Sequence, residues 1–348
     1  MKPRCRPRTT ASAGGGEGAI VTEATRLRVG VVGCGRAARI HVGRLTALPA
    51  VAVVGCADAD RAAAEALAAA AGGAAAYDDH RALLEAGPPD VVAIFTPHRA
   101  HYRPALDALQ AGCHVFVEKP LSTNTQEAAD LVNLARSRGR ILGVGHQFRL
   151  SPALAEARRR LAAGEIGTLR MVTAVMAAPW LAQHWGPEDS WRLDPKVSGG
   201  GIVADAGDHL IDALLWTTGR RAVEAAAFQN RVAAGLDVVT AAAVKLEGDL
   251  PATLAVCGVS PGSVFTLSFH GEDGRLTASE SRLELDRGDG PAELLAPASA
   301  PSNVDADYIA AVRDQRAPAC PGEEALETVR LLQAIVRSAT AGQVVRVA

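Results

Sequence analysis

Short apolar runs and helix-forming stretches alternate along residues 27–145 of the chain. Leu27-Arg28-Val29-Gly30-Val31-Val32 is a β-branched run closed by Gly33, which reads as a buried strand. Residues 36–48 follow with helical spacing and stop at Pro49. The alternation continues with a strand at 51–57, a helix at 61–71, a strand at 91–95 and a helix at 100–110. It ends with a strand at 115–117, a helix at 126–137 and a strand at 141–145. Strand–helix alternation of this kind predicts a parallel, doubly wound sheet. Beyond residue 150 the pattern changes. A helix at 152–163 and a strand at 169–177 precede an irregular stretch at 178–197, and a helix spans 202–217. From 223 to 286 several strands follow one another, with turn signals at Gly235, Gly248, Pro261-Gly262 and Gly274, which suggests a largely antiparallel sheet. Residues 288–302 read as a surface loop, and 308–313 and 325–340 as closing helices.

The expected fold class is therefore α/β: an N-terminal, doubly wound Rossmann-type fold and a C-terminal α/β part with a large, mostly antiparallel open sheet. The expected division is a disordered tail at 1–25, a first domain at 26–147 and a second at 148–348, whose closing helices could pack back on the first. The length of 348 residues agrees with two cores. Hydrophobic residues make up 48% and can fill them, whereas the formal net charge of −2 gives no electrostatic footprint for nucleic acid or an anionic membrane. The six cysteines form no CxxC pair and no metal-ligand spacing, so they read as reduced thiols, with no metal expected. Arg4, Arg6 and Arg8 are followed by small and polar residues instead of an apolar segment, and no apolar run is long enough to span a bilayer. A cytoplasmic location is expected.

Gly33-Cys34-Gly35-Arg36-Ala37-Ala38 fits GxGxxG/A directly after a strand and at the start of a helix. Gly33 serves the sharp turn, Gly35 the close approach of a pyrophosphate, and Ala38 the packing of helix on strand. The phosphates would then meet the helix N-terminus. Asp58 closes the second strand, 20 residues past Ala38, where a carboxylate can hold the ribose hydroxyls and repel a 2′-phosphate. NAD is favoured. Asp60 competes for the role, and Arg61 keeps NADP open.

Three blocks in this order resemble the Gfo/Idh/MocA oxidoreductases, the family of glucose–fructose oxidoreductase and inositol dehydrogenase. The first is the fingerprint with His41. The second is Thr96-Pro97 with His101, leading to Glu118-Lys119-Pro120. The third is Gly199-Gly200-Gly201 followed by Asp205, His209 and Asp212. The resemblance implies an NAD(P)-dependent dehydrogenase acting on CH–OH groups of a sugar, inositol or related polyol, as a homodimer or homotetramer. It places Thr96, Pro97, His101, Glu118, Lys119 and Pro120 at the cofactor, though His101 by itself reads as a packing residue at a helix start. It implies that Lys119 polarises the substrate oxygen, that the Lys119–Pro120 bond is cis, that His209 is the acid/base and that Asp205 is a substrate ligand.

Elementary chemistry fits these roles. A free lysine, with pKa ~10.4, is a poor proton acceptor at neutral pH, so burial or nearby positive charge is expected to lower it. Asp205 and His209 are four apart on one helix face, and an imidazole is the natural acceptor near neutrality. Taken alone, an Asp–His pair at this spacing is an ordinary surface ion pair. His146, Gln147 and Arg149 after the last Rossmann strand, and Trp191 and Arg192 in the irregular stretch, are candidate substrate contacts. Trp180, His184 and Trp185 could join them. The competing readings are a nucleotide-dependent sugar-sensing regulator and a glycosidase or epimerase that recycles its NAD.

Overall fold

The computed structural model describes residues 26–184, 191–232, 235–296 and 302–348. The tail at 1–25, Trp185 and the loop positions 297–301 lie outside them. The first sheet is built from β1 (Leu27–Val32), β2 (Val51–Ala57), β3 (Ala75–Tyr77), β4 (Val91–Ile94), β5 (His114–Val117) and β6 (Leu142–Val144). Its order is β3-β2-β1-β4-β5-β6, and every pairing is parallel. The crossovers are α1 (Arg36–Thr46), α2 (Arg61–Ala70), α3 (His80–Glu85), α4 (Tyr102–Gln110) and α5 (Thr125–Arg138). β1, β4 and β5 are apolar on both faces because helices cover both. The caps are local. Asp60 accepts from the Ala62 and Ala63 N–H groups at the start of α2, and Asn124 does the same for α5, which ends at Gly139 with φ 60°. β3 and α3 were not expected from sequence. Three and six residues long, they are too short for a hydrophobic period to show.

The chain then enters α6 (Pro152–Ala162) and β7 (Leu169–Ala177). Among the described residues the irregular stretch contains two short α-helices, α7 (Trp180–His184) and α8 (Pro195–Ser198), and a 3-10 turn (Trp191–Leu193), before the long α9 (Ile202–Thr218). β8 (Ala222–Arg231), β9 (Asp237–Leu246), β10 (Leu250–Cys257), β11 (Val264–Gly271), β12 (Arg275–Ser279), β13 (Leu283–Asp286), β14 (Glu293–Leu295) and β15 (Val345–Arg346) complete a nine-stranded sheet with β7. Its order is β14-β13-β12-β11-β7-β10-β9-β8-β15, antiparallel except where β10 runs parallel to β7. β14 falls in the stretch expected to be a loop. Only Leu295 of its three residues is buried, so the alternation is too short to read. Leu250, Ala252, Leu254 and Val256 of β10 point inward against the layer that holds α6 and α9, while Pro251, Thr253 and Ala255 face outward.

The start of α9 is fixed from another element. Gly201 provides no side-chain cap, and the β9 residue Asp237 accepts from the Gly201 N–H at 3.0 Å and the Val203 N–H at 2.9 Å. A Cβ on Gly201 would stand 2.6 Å from the Asp237 backbone nitrogen.

The final helices, α10 (Val304–Arg313) and α11 (Gly322–Ala341), return to the first sheet. Val304, Tyr308, Ile309 and Val312 share a core with β1, α1 and α2, and Ala325, Leu326 and Val329 share one with β4, β5 and α5. Tyr308 donates to the Ile141 carbonyl at 3.0 Å, over the space left by Gly143. His41 of α1, 6% exposed, is bonded through Nδ1 to Asp305 Oδ1 at 2.6 Å, and its Nε2 lies 3.5 Å from Glu118 Oε1. Burial pulls the His41 pKa down, but the Asp305 and Glu118 carboxylates outweigh it and raise it to about 9.

Two stability predictions follow from these contacts. Gly201→Ala should cost about 3 kcal/mol through collision with β9, read as a fall in the urea midpoint. A folded-state pKa raised from 6.5 to about 9 means that His41 stabilises the fold fully below pH 6.5 and ceases to as pH rises through 9. Denaturation of wild type and His41→Gln should differ by about 3 kcal/mol at pH 6, a gap that closes by pH 10.

Candidate active site

A cleft of about 900 Å³ opens at the carboxyl ends of β1, β2 and β4 and runs to the start of α9. Gly33 turns the chain with φ 86°. A Cβ there would meet the Thr96 nitrogen at 2.6 Å, so the fingerprint turn lies directly on the end of β4. Gly35 has open space around it and leaves α1 without a side-chain cap. Free N–H groups and an unfilled cradle at a helix start fit a pyrophosphate. Arg36 and Ala37 line the cleft, while Ala38 is fully buried against the sheet. Asp58 lines it as well, with Oδ2 accepting from the Cys34 N–H at 2.6 Å and Oδ1 from the Asp60 N–H at 2.9 Å. Asp60 is engaged as the α2 cap, so of these two acids Asp58 is the one that lines the cleft. Thr96 and Pro97 form the opposite wall, and Thr96 Oγ1 is buried with no protein partner among the described residues.

At the inner end, β5 leads into Glu118, Lys119 and a cis Lys119–Pro120 bond. Lys119 Nζ donates to Asp205 Oδ1 at 2.6 Å and to the Asp205 carbonyl at 2.9 Å. Burial acts to lower the lysine pKa, but Asp205 and Glu118 outweigh it and the net shift is upward. The expected lowering is thus reversed: the ammonium is surrounded by carboxylates, and it is held as a cation. Asp205 is 6% exposed. Its Oδ2 accepts from Trp180 Nε1 at 2.8 Å and from Arg192 Nε at 2.9 Å. Burial would raise its pKa, yet Lys119 and Arg192 hold it well below the usual carboxylate range. Three donors thus converge on the Asp205 carboxylate, which organises the cations around it. His98 was missed by sequence reasoning, although it directly follows Thr96-Pro97. It packs edge-on to Trp191 at 4.7 Å and donates from Nδ1 to the Ser198 carbonyl, and its Nε2 is 3.6 Å from Asp205 Oδ1. Burial, assisted by Lys119, lowers its pKa to about 3. Arg192 lies over the Trp191 ring at 4.3 Å, and both line the cleft with His184.

His209 follows Asp205 by one turn of α9. Phe148 packs against it edge-on at 5.1 Å, and its Nδ1 is buried without a partner among the described residues. Burial, then Lys119 and His146, push its pKa well below the ordinary imidazole value.

Other expected site residues sit behind the cleft. His101 is fully buried, with its ring between the Pro120 and Thr96 carbonyls at 2.7 and 2.9 Å. It braces the two cleft walls and does not line the cavity. Glu118 turns to His41, and Pro120 is buried. The 3-10 turn after β6 carries His146 and Arg149 away from the cleft onto α9. His146 is 1% exposed and meets Asp208, while Arg149 grips Asp212 and Glu324. Gln147 faces solvent. None of these three can contact a ligand in the cleft. No described helix is long and apolar enough to cross a membrane.

Comparison with known proteins agrees with this geometry. Residues 27–146 match the oxidoreductase family with an NAD-binding Rossmann fold, and 154–277 match the GFO/IDH/MocA C-terminal domain. The D-glucoside 3-dehydrogenase of Escherichia coli K12 is 32% identical over 199 residues, covering 57% of this chain and 56% of that protein. The rhizopine catabolism protein MocA of Rhizobium meliloti is 33% identical over 239 residues, 69% of each chain. The crystal structure of GenD2 from gentamicin A biosynthesis, in complex with NAD, superposes with a TM-score of 0.78 at 26% identity, covering 92% of this chain and 96% of that one. Both halves of the chain, and the relative matched over two thirds of its length, give one answer: the protein belongs to the GFO/IDH/MocA family of NAD-binding oxidoreductases.

Proposed function

We propose that the protein is a dehydrogenase or reductase that uses NAD in preference to NADP and acts at a CH–OH carbon of a sugar, inositol or related polyol. The observation that carries this reading is the Lys119–Asp205 pair at the inner end of the dinucleotide cleft, with His209 one helical turn away. The bound nicotinamide would accept or return the hydride. An ammonium has three N–H donors. Lys119 spends two on Asp205 and keeps one for the substrate oxygen, whose developing negative charge it stabilises. His209, neutral in this setting, takes the hydroxyl proton during oxidation and gives it back during reduction. Asp205 aims the lysine, and Trp180 and Arg192 hold the carboxylate in place. The Trp191 face and the Arg192 and His184 side chains suit a ring carrying several hydroxyls. The sugar class is supported by the glucoside dehydrogenase among the relatives.

Purified protein incubated with NAD and a panel of glucosides, inositols and sugar acids should form NADH with at least one of them. Lys119→Ala should lower that rate by about 10²–10⁴-fold without abolishing nucleotide binding. Nucleotide binding with no net reduction on any substrate would favour the regulator or cofactor-recycling readings. Asp58→Ser should reduce the preference for NAD over NADP by about 10–100-fold in kcat/KM, the effect expected of one charge-assisted contact to the ribose.

A further inference from the structure

α9 carries two acids on the side away from the cleft, and they are treated differently. Asp212 is 1% exposed, and its oxygens accept from the Arg149 guanidinium at 2.6 to 3.1 Å. Asp208 is fully buried with no such cation. Its Oδ1 has no partner among the described residues, and its Oδ2 lies 2.6 Å from His146 Nε2. A carboxylate this deep stays ionised only beside a matching charge. The other nitrogen of His146, Nδ1, lies 3.4 Å from Asp212 Oδ1 and 3.2 Å from Cys320 Sγ. With Nε2–H directed at Asp208, a second N–H at Nδ1 meets the Asp212 carboxylate, and the imidazolium is the form that supplies both. The trio of His146, Asp212 and Cys320 places ligand-type atoms within 4.8 Å of one another, but Arg149 already occupies the Asp212 carboxylate, so the pocket is built for a protonated ring and not for a metal ion.

This ring stands behind the proton carrier. The His146 and His209 rings meet edge-on, 81° apart in plane with centroids at 6.1 Å. Phe148 closes the other side of His209. The charged groups around it are Lys119 from the end of β5, Asp205 and Asp212 on α9, and His146 from the turn after β6. We propose that His146 is a positioning residue for the proton step: fixed as an imidazolium by Asp208 and Asp212, it abuts His209, fixes the orientation of that ring and keeps it unprotonated and ready to accept. Burial alone would lower the pKa of His146, but Asp212, Cys320 and Asp208 outweigh it and raise it well above the imidazole value. The inference rests on His209 being the acid/base of the cleft, but the measurement below reads charge and not turnover.

The test is imidazole ¹⁵N NMR on the full chain labelled at histidine, with His146→Gln and His209→Gln used for assignment. In the wild type near neutral pH, both His146 nitrogens should carry protons, and His209 should carry one. In His146→Gln the His209 midpoint should rise by about one to two pH units, the effect of removing one charge at this separation. Asp208→Asn keeps the shape, weakens the clamp and should move the midpoint in the same direction. A His146 found neutral in the wild type overturns the proposal without any variant, and so does an unchanged His209 midpoint in a folded variant. Undiminished turnover in His209→Gln would instead remove the acid/base reading and leave the measured charge states standing, so the two failures are distinguishable.

Discussion

Stripping water from an ammonium costs several kcal/mol unless an opposite charge replaces it. Lys119 is 10% exposed on its side chain, and Asp205 is the replacement. The two residues come from different sheets' neighbourhoods, one at the end of β5 and the other on α9, so their bond at 2.6 Å ties the nucleotide-binding edge to the second layer. Trp180, Arg192 and His98 then converge on the same carboxylate. One acid thereby sets the lysine's charge, the position of an arginine and the packing of two tryptophans. Removing it would leave buried cations without a counter-charge, which is far costlier than losing one hydrogen bond.

A second constraint is placement of α9 itself. Its start has no cap of its own and depends on Asp237, a residue of β9 whose carboxylate accepts from the Gly201 and Val203 N–H groups. Its far side is held by Asp208 on His146 and Asp212 on Arg149. The helix that carries Asp205 and His209 is therefore fixed at its N-terminus by the large sheet and along its flank by the turn after β6. Side chains that must meet a substrate within a fraction of an ångström need this kind of support.

Much of the fold is legible because its signals are local. The strands of the first sheet are apolar on both faces, Asp60 and Asn124 announce helices, and Gly33 marks a turn that lies too close to Thr96 for any side chain. β3, α3 and β14 escape because three to six residues leave no period to read. At the site, the motif residues Lys119 and Asp205 meet, and Arg192 and Trp191 of the irregular stretch pack beside them. His146 and Arg149 do not, although they follow a strand at the end where ligands bind. A 3-10 turn, whose course depends on acids more than fifty residues later in the chain, swings them onto α9. The lysine's charge state was misread for a related reason: burial is legible from position, but the number of carboxylates gathered around a buried group is a tertiary property.

The return of α10 and α11 to the first sheet gives synthesis of this chain a particular order. Strands β1 to β6 leave the ribosome complete, yet one face lacks Tyr308, Ile309 and Val312, and the other lacks Ala325, Leu326 and Val329. Strands β7 to β14 must be made before those residues emerge, an interval on the order of 10 s at ribosomal speeds. Throughout it the nascent Rossmann sheet shows apolar surface of the kind that chaperones hold. The nucleotide-binding half is encoded first, yet its core closes only after β14 has been made.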